Sequence, residues 1–406
     1  MRYLILKKRQ MRRAVNEGFF LEMAGAEDGP EDFGPPVQAV AADLSEREAA
    51  DLSRDDQVED VIPSMPFSLI APVEEGEAAA AGTWGLAAIG ATRSSFTGAG
   101  VTVAVLDTGI ERNHPAFAGM DFGAGDKNLC DFTVSAEGVM GGAPDSHGHG
   151  THVAGTIFGR AVNGERIGVA PGVTRVLIGK VLGQGGGSTE VIYNAIQWAM
   201  GRKADIISMS LGMDFPKHVE WLIGREGLPP GIAASRALEA YRANLRLFDR
   251  MAEAMGAARM LGRGALLVAA SGNESARKTN PRFTVAAAPP SAADGFIAVG
   301  AVGQTGNAAA PYDVASFSNT GCLLAGPGVG IRSAVLGGGL GEKSGTSMAT
   351  PHVAGALALW IQKLFPGGQR PRDWDRDVMR ELERHVAPAP GLSRADVGFG
   401  VVQVPV

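Results

Sequence analysis

From Gly98 onward the chain alternates apolar runs of strand length with segments of helical periodicity. "GVTVAVLD" (100–107), "RVLIGKVL" (175–182), "ADIISMSLG" (204–212), "ALLVAASGN" (265–273) and "GFIAVGAV" (295–302) read as strands. "THVAGTIFG" (151–159), "STEVIYNAIQWAMG" (188–201) and "TSMATPHVAGALALWIQKLF" (346–365) read as helices. The strand runs are apolar throughout rather than at every second residue. Such strands need cover on both faces, and parallel strands acquire it from their crossover helices. The rhythm therefore predicts an α/β fold: a mostly parallel sheet with helices on both faces. Ligands of such sheets bind beyond the carboxyl ends of the strands.

Two regions fall outside this rhythm. Residues 1–71 read as a small α+β module, in which "RYLILKK" is a strand. "DLSEREAADLSRDDQVEDVI" (43–62) opens with the capping pattern Ser45-x-x-Glu48, continues as a short helix and ends as a strand near Val58–Ile62. Residues 72–83, mostly the small and acidic "PVEEGEAAAAG", read as a linker to a main domain over 84–406. Inside that domain, 213–262 reads as a helical insertion. Leu238, Tyr241, Leu245, Phe248, Met251 and Met255 recur there at helical spacing, with Arg236, Arg242, Arg246 and Arg250 between them. This period suits a surface helix with one face on the core, and it equally suits a docking face at 231–261 for a protein partner.

Composition narrows the function. A chain of 406 residues, 45% of them hydrophobic, can bury a large core, and its net charge of -6 argues against a nucleic-acid partner. No apolar run reaches about 18 residues, so no membrane span is expected. The N-terminal "YLIL" is short of a signal core of about 7–15 residues, which suggests a cytoplasmic protein. Cys130 and Cys322 form neither a disulfide framework nor a zinc spacing and are expected to be buried small hydrophobes. "GQGGGST" (183–189) lacks the G-K-[ST] ending of a phosphate loop.

Three segments carry chemistry. "APDSHGHGTHVAGT" (143–156) places His147, His149 and His152 within six residues, in a chain with 7 histidines. The run is one residue away from the H-x-H-x-D-H ligand run of metallo-β-lactamase-type hydrolases, with Thr151 where the aspartate ligand would be. Threonine is a poor zinc ligand, but a metal-dependent hydrolase stands as one reading. "VAVLDTGI" ends a buried strand in Asp107, where a carboxylate could orient an imidazole or merely cap a turn. "SGTSMATPHVAG" (344–355) puts Ser347 at the start of an apolar helix, beside unpaired N–H groups and the positive end of the helix dipole. Such a serine is an ordinary N-cap or a nucleophile with an oxyanion site beside it.

Taken together these blocks resemble the active-site segments of the subtilisin-like serine proteases, the subtilases (peptidase S8). "VAVLDTGI", "HGTHVAGT" and "GTSMATPHVAGA" follow that family's order, Asp then His then Ser. "AASGNE" (269–274) is similar to its oxyanion-hole block, "SMSLG" and "KVLGQGGGS" to the segments flanking its substrate, and "GFGVVQV" to its closing motif. The likeness spans about residues 84–404.

The resemblance implies a serine endopeptidase working through an acyl-enzyme. Ser347 would be the nucleophile, His149 the general base, Asp107 its orienter and Asn273 the oxyanion donor. An extended peptide would pair with Ser210, Leu211 and Gly212 on one side and Gly185, Gly186 and Gly187 on the other. An intracellular regulatory or maturation protease is the expected biology. A catalytically silent binding protein on the same fold is a third reading. No cofactor is expected, with calcium at a place other than the family's site left open. The family's calcium site is expected to be absent, because Ala116 stands where an acidic ligand commonly follows His-Pro and the loop 158–168 carries Arg160 and Arg166. The N-terminal module resembles the family's inhibitory propeptide, with "GFFLEMAGAEDGPEDFGPP" fitting least well. That likeness implies cleavage within 70–82.

Overall fold

A strand that is apolar on both faces can only sit inside a sheet, and the five apolar runs do so. The computed structural model describes residues 1–8, 37–73, 83–259 and 264–406. The chain separates into two units, Met1–Ser64 and Met65–Val406. Residues 65–71, expected with the N-terminal module, thus pack as part of the larger unit.

In the smaller unit β1 (Arg2–Lys8) is the central strand, antiparallel to β2 (Val37–Asp43) on one side and, after α1 (Glu46–Leu52), to β3 (Val58–Pro63) on the other. The capping pattern forms as expected: Ser45 Oγ accepts from the Glu48 N–H at 3.3 Å and the Glu48 carboxylate accepts from the Ser45 N–H at 2.8 Å. Leu4 and Ile62 are buried in this unit. The segment "GFFLEMAGAEDGPEDFGPP" and most of the linker lie outside the described residues.

The larger unit begins with a short strand, β4 (Pro66–Leu69), and is organised around seven parallel strands. In chain order these are β5 (Val103–Asp107), β6 (Leu129–Asp131), β7 (Val176–Lys180), β9 (Ile206–Met209), β11 (Leu266–Ala270), β12 (Phe296–Gln304) and β13 (Leu324–Pro327). Across the sheet they run β13-β12-β11-β9-β5-β7-β6, every adjacent pair parallel. Short antiparallel strands, Tyr312–Val314 and Val139–Met140, extend its two edges. Every residue of β5, β9 and β11 is buried, which is why these strands lack alternation.

The helices that matter for chemistry are α2 (His149–Phe158) and α6 (Thr346–Leu364). They pack on each other and on the sheet, and α6 is buried at every position from Thr346 to Ile361. A two-stranded hairpin, β14 (Ile331–Val335) and β15 (Gly339–Lys343), leads into α6. The helix α3 (Thr189–Gly201) follows β8 (Gly187–Ser188).

Two expectations are corrected. The single strand expected over 204–212 breaks at Ser210: β9 stays in the parallel sheet, while β10 (Leu211–Met213) leaves it to pair with β4. Apolar residues stand on both sides of the switch, Met209 before it and Leu211 and Met213 after it, so nothing in the pattern marks it. The insertion is two helices, α4 (Phe215–Glu226) and α5 (Pro230–Arg259). Asp214 caps α4, Pro216 sits in its first turn, and Gly227 ends it in the left-handed region at φ 66°. The buried stripe of α5 starts with Ala233, Ala237, Ala240 and Ala243 and continues through Leu247, Phe248, Met251 and Met255. Leu238, expected on that stripe, is 52% exposed, because the small alanines take the close helix contact instead. Among the described residues no helix is long and apolar enough to cross a membrane.

Candidate active site

Asp107 is the last residue of β5, and the chain must turn sharply after it. Gly109 does so at φ 107°; a side chain there would meet the Ala143 carbonyl at 2.4 Å. A side chain at Gly150 would meet the Gly109 carbonyl at 2.2 Å. Glycine at both positions lets the strand end and the first turn of α2 touch backbone to backbone. That contact brings Asp107 Oδ1 to 2.7 Å from His149 Nδ1, with both side chains wholly buried. Asp107 Oδ1 also accepts from the Thr108 N–H at 2.7 Å. A carboxylate acceptor at Nδ1 fixes the tautomer that leaves Nε2 free to take a proton.

Asp145 is a site residue that sequence reasoning missed. Its carboxylate accepts from the backbone N–H of His147, Gly148 and Thr151 and from the hydroxyls of Thr108 and Thr151, at 2.7–2.9 Å. Burial works to raise this carboxyl, but the bonds from Thr151, Gly148 and His147 outweigh it and hold it below the usual carboxylate range. Asp145 therefore shapes the turn that aims His149. An Asp two residues ahead of a His-Gly turn is its only signal in the sequence.

The three histidines face different partners. His149 holds Asp107, while His152 Nε2 donates to the Ile331 carbonyl at 2.9 Å and approaches that of Gly341 at 3.3 Å. Burial, aided by Lys343 and His149, pushes His152 down to about 3, so it is a neutral clamp on the β14–β15 hairpin. His147 is exposed, its ring centroid 6.3 Å from that of His149. Cys130 and Cys322 are buried free thiols, and burial raises both to about 11.

Ser347 is the second residue of α6, with no exposed surface. Its hydroxyl donates to the Ile70 carbonyl at 2.9 Å. Asn273, three residues beyond β11, is fixed by its carbonyl oxygen, which accepts from the N–H and hydroxyl of Thr346, both at 2.9 Å. That leaves its amide free to donate to the Ala71 carbonyl, at 2.8 Å. The hydroxyl and the amide thus sit on two successive carbonyls of one segment.

That segment, Met65–Val73, lies extended in the cleft. In β4, Phe67, Ser68 and Leu69 pair antiparallel with Met213, Gly212 and Leu211; on the other side Pro66 and Phe67 pair with Ser188 and Gly187. Val73 N–H donates to the Ser344 carbonyl at 2.8 Å. Leu211, Gly212, Gly186 and Gly187 flank this strand; a side chain at Gly186 would strike the Phe67 carbonyl at 2.4 Å. Ser210 and Gly185 stand outside the ladder; Ser210 instead reaches the Ser347 carbonyl at 3.4 Å. Phe67 is fully buried and meets Phe248 of α5 edge-on at 5.8 Å. The Ile70 side chain faces Gly212, and a cavity of about 560 Å³ opens beside it. Phe215, Leu238 and Tyr241 of the insertion wall that cavity, with Gly272 and Glu274 opposite. This explains the half-exposed large residues of α5.

A serine at a helix start and a fixed amide meet one extended strand, and a buried Asp–His pair joins the end of β5 to the start of α2. The subtilase family model, peptidase S8, matches residues 98–401, three quarters of the chain. This chain is a subtilase. The subtilase is similar to subtilisin E of Bacillus subtilis (strain 168), 32% identical over 336 residues, which cover 80% of this chain and 71% of the relative. It is also similar to the major intracellular serine protease of the same bacterium, 36% identical over 268 residues (64% and 68% of the two chains). The intracellular serine protease of Paenibacillus polymyxa is 35% identical over 262 residues, 64% and 67%. Membership makes the subtilase a serine-type endopeptidase acting on polypeptides. The comparisons lend no support to metal-dependent hydrolysis.

Proposed function

We propose that Ser347, His149, Asp107 and Asn273 are the working groups of this peptidase. His149 Nε2 takes the Ser347 proton as the hydroxyl oxygen attacks a peptide carbonyl carbon. The Asn273 amide and the Ser347 backbone N–H, at the positive end of α6, stabilise the resulting oxyanion. His149 then returns the proton to the leaving amine, the C–N bond breaks and an acyl-enzyme remains; water reverses the sequence and frees the acid. Asp107 holds the imidazole tautomer and stabilises the imidazolium. The observation that carries this reading is the Ser347 hydroxyl on the Ile70 carbonyl; the Asn273 amide lies on the next carbonyl, that of Ala71, one residue from where it would meet the oxyanion.

Met65–Val73 occupies the groove as a substrate would, so it is the inhibitory element in this reading. Ile70–Ala71 is the bond to be cut in this reading, since the Ser347 hydroxyl lies on the Ile70 carbonyl. Cutting there releases the Met1–Ile70 segment, and a chain retaining it stays restrained. A regulatory or maturation role inside the cell accords with the two relatives named as intracellular proteases.

Mass spectrometry and a fluorophosphonate probe test both points. The wild type should label and, with time, yield a chain starting at Ala71; Ser347→Ala should do neither. Labelling of the variant refutes the nucleophile, and a full-length wild type refutes self-processing.

The calcium position is proposed to be closed by the protein itself. The Arg166 guanidinium donates to the Gly168 and Val169 carbonyls at 3.1 and 2.9 Å, and Glu165 pairs with Arg332 at 2.9 Å. A cation in that loop would have to displace Arg166. EDTA should leave the melting temperature unchanged; a fall would contradict this.

A further inference from the structure

One carboxylate beside the cleft strand has no part in the triad chemistry. Asp214 is the residue where the insertion begins. Its Oδ1 accepts from the Lys217 N–H at 3.0 Å and caps α4; its own N–H donates to the Pro66 carbonyl at 3.2 Å. Oδ2 accepts from the Ser68 hydroxyl at 3.1 Å. Ser68 is the third residue before the cut if Ile70 is the first, and it pairs with Gly212, next but one to Asp214.

We infer that Asp214 is a specificity-determining residue, which selects at this third position a side chain able to donate a hydrogen bond, favouring a basic residue and rejecting an acidic one. The inference rests on the reading of Met65–Val73 as a substrate-like strand.

An ionised carboxylate can only accept, so a hydroxyl or a cation satisfies it and an acid opposes it. The helix cap holds the carboxylate in place before any peptide arrives, so little order is lost on binding. Ser68 and Asp214 are both half-buried, which leaves the pair less screened than one in open solvent. Phe215 and Tyr241, edge to face at 5.9 Å, stand next to it and can carry the stem of a lysine or arginine.

The test uses the full-length chain, with active sites counted by the fluorophosphonate probe, and internally quenched peptides built on MPFSLIAPV (65–73). The serine is replaced by lysine, alanine or glutamate, and kcat/KM is compared. Wild type should prefer lysine to alanine by about fivefold and lysine to glutamate by at least about tenfold, with serine between lysine and alanine. In Asp214→Asn, which keeps a capping side chain, the lysine-to-glutamate ratio should collapse toward one. Equal rates for all four peptides with wild type, or a preference that survives in Asp214→Asn, overturns the inference and leaves the catalytic reading standing. No cleavage and no labelling of the wild type overturns that reading, and this inference with it. If Asp214→Asn does not take up the probe, wild type in rising salt decides: the ratio should shrink toward about 1 M, and a constant ratio refutes an ionic origin.

Discussion

The floor of the cleft and its rim are built by different rules. On the floor, Asp107, His149 and Ser347 are 0–1% exposed, each at the end of an element locked into the parallel sheet or its helices. On the rim, β10 and β8 hold the cleft strand by backbone pairing, with half-exposed side chains around it. Backbone pairing does not read side chains, so the rim can change composition while the floor cannot. Selectivity then has to come from the few rim groups that do touch side chains, such as Phe248 against Phe67 and Asp214 against Ser68.

Substitutions can sharpen this contrast. Ser347→Ala should reduce kcat by about 10⁶-fold with an unchanged melting temperature. A loss of only tenfold would place the nucleophile elsewhere. Next in size, Phe248→Ala should destabilise the fold by about 3–5 kcal/mol in urea unfolding, while Leu238→Ala, half out in solvent, should cost less than about 0.5 kcal/mol. Equal costs would mean that α5 does not bury the face described. Asn273→Ala should then lower kcat by about 10²–10³-fold with a smaller effect on KM, since an oxyanion donor acts most in the transition state.

A further effect concerns acid. His152 and His352 are fully buried, and burial depresses them from about 6.5 to about 3 and about 4. The unfolded chain therefore binds more protons between those values and about 6.5, so stability rises with pH across that window and falls on acidification. Each histidine adds a slope approaching about 1.4 kcal/mol per pH unit. Urea unfolding from pH 7 to 4.5 should show it, and His352→Gln should remove one share. A pH-independent midpoint would mean that these imidazoles are not held neutral.

Legibility followed the same division. The floor was readable because burial on both faces suppresses alternation in β5 and β9, and because chemistry requires Asp, His, Asn and Ser at element ends. The rim was less so. The strand break at Ser210 has apolar residues on both sides and no turn signal before Gly212, and β4 is four residues in a stretch without strong periodicity. Leu238 and Tyr241 share helical spacing with the buried stripe, yet the alanines beside them do the packing. Asp145 gives no periodic signal at all; beyond the His-Gly turn that follows it, its five hydrogen bonds reveal it.

The change of partner at Ser210 has a consequence for how such a molecule can be modified. Strand β9, before that residue, is registered to the parallel sheet. Strand β10, just after it, is registered to the peptide strand, while α5 is held to the sheet unit by Phe248 against Phe296, Asn244 against Thr189 and Asp249 against the Asp294 N–H. The inserted α5 is thus fastened to the sheet unit at points of its own, apart from β5 and α2, which carry Asp107 and His149. The exposed turns of α4 can change in length while the geometry of the Asp107–His149 pair stays where it is.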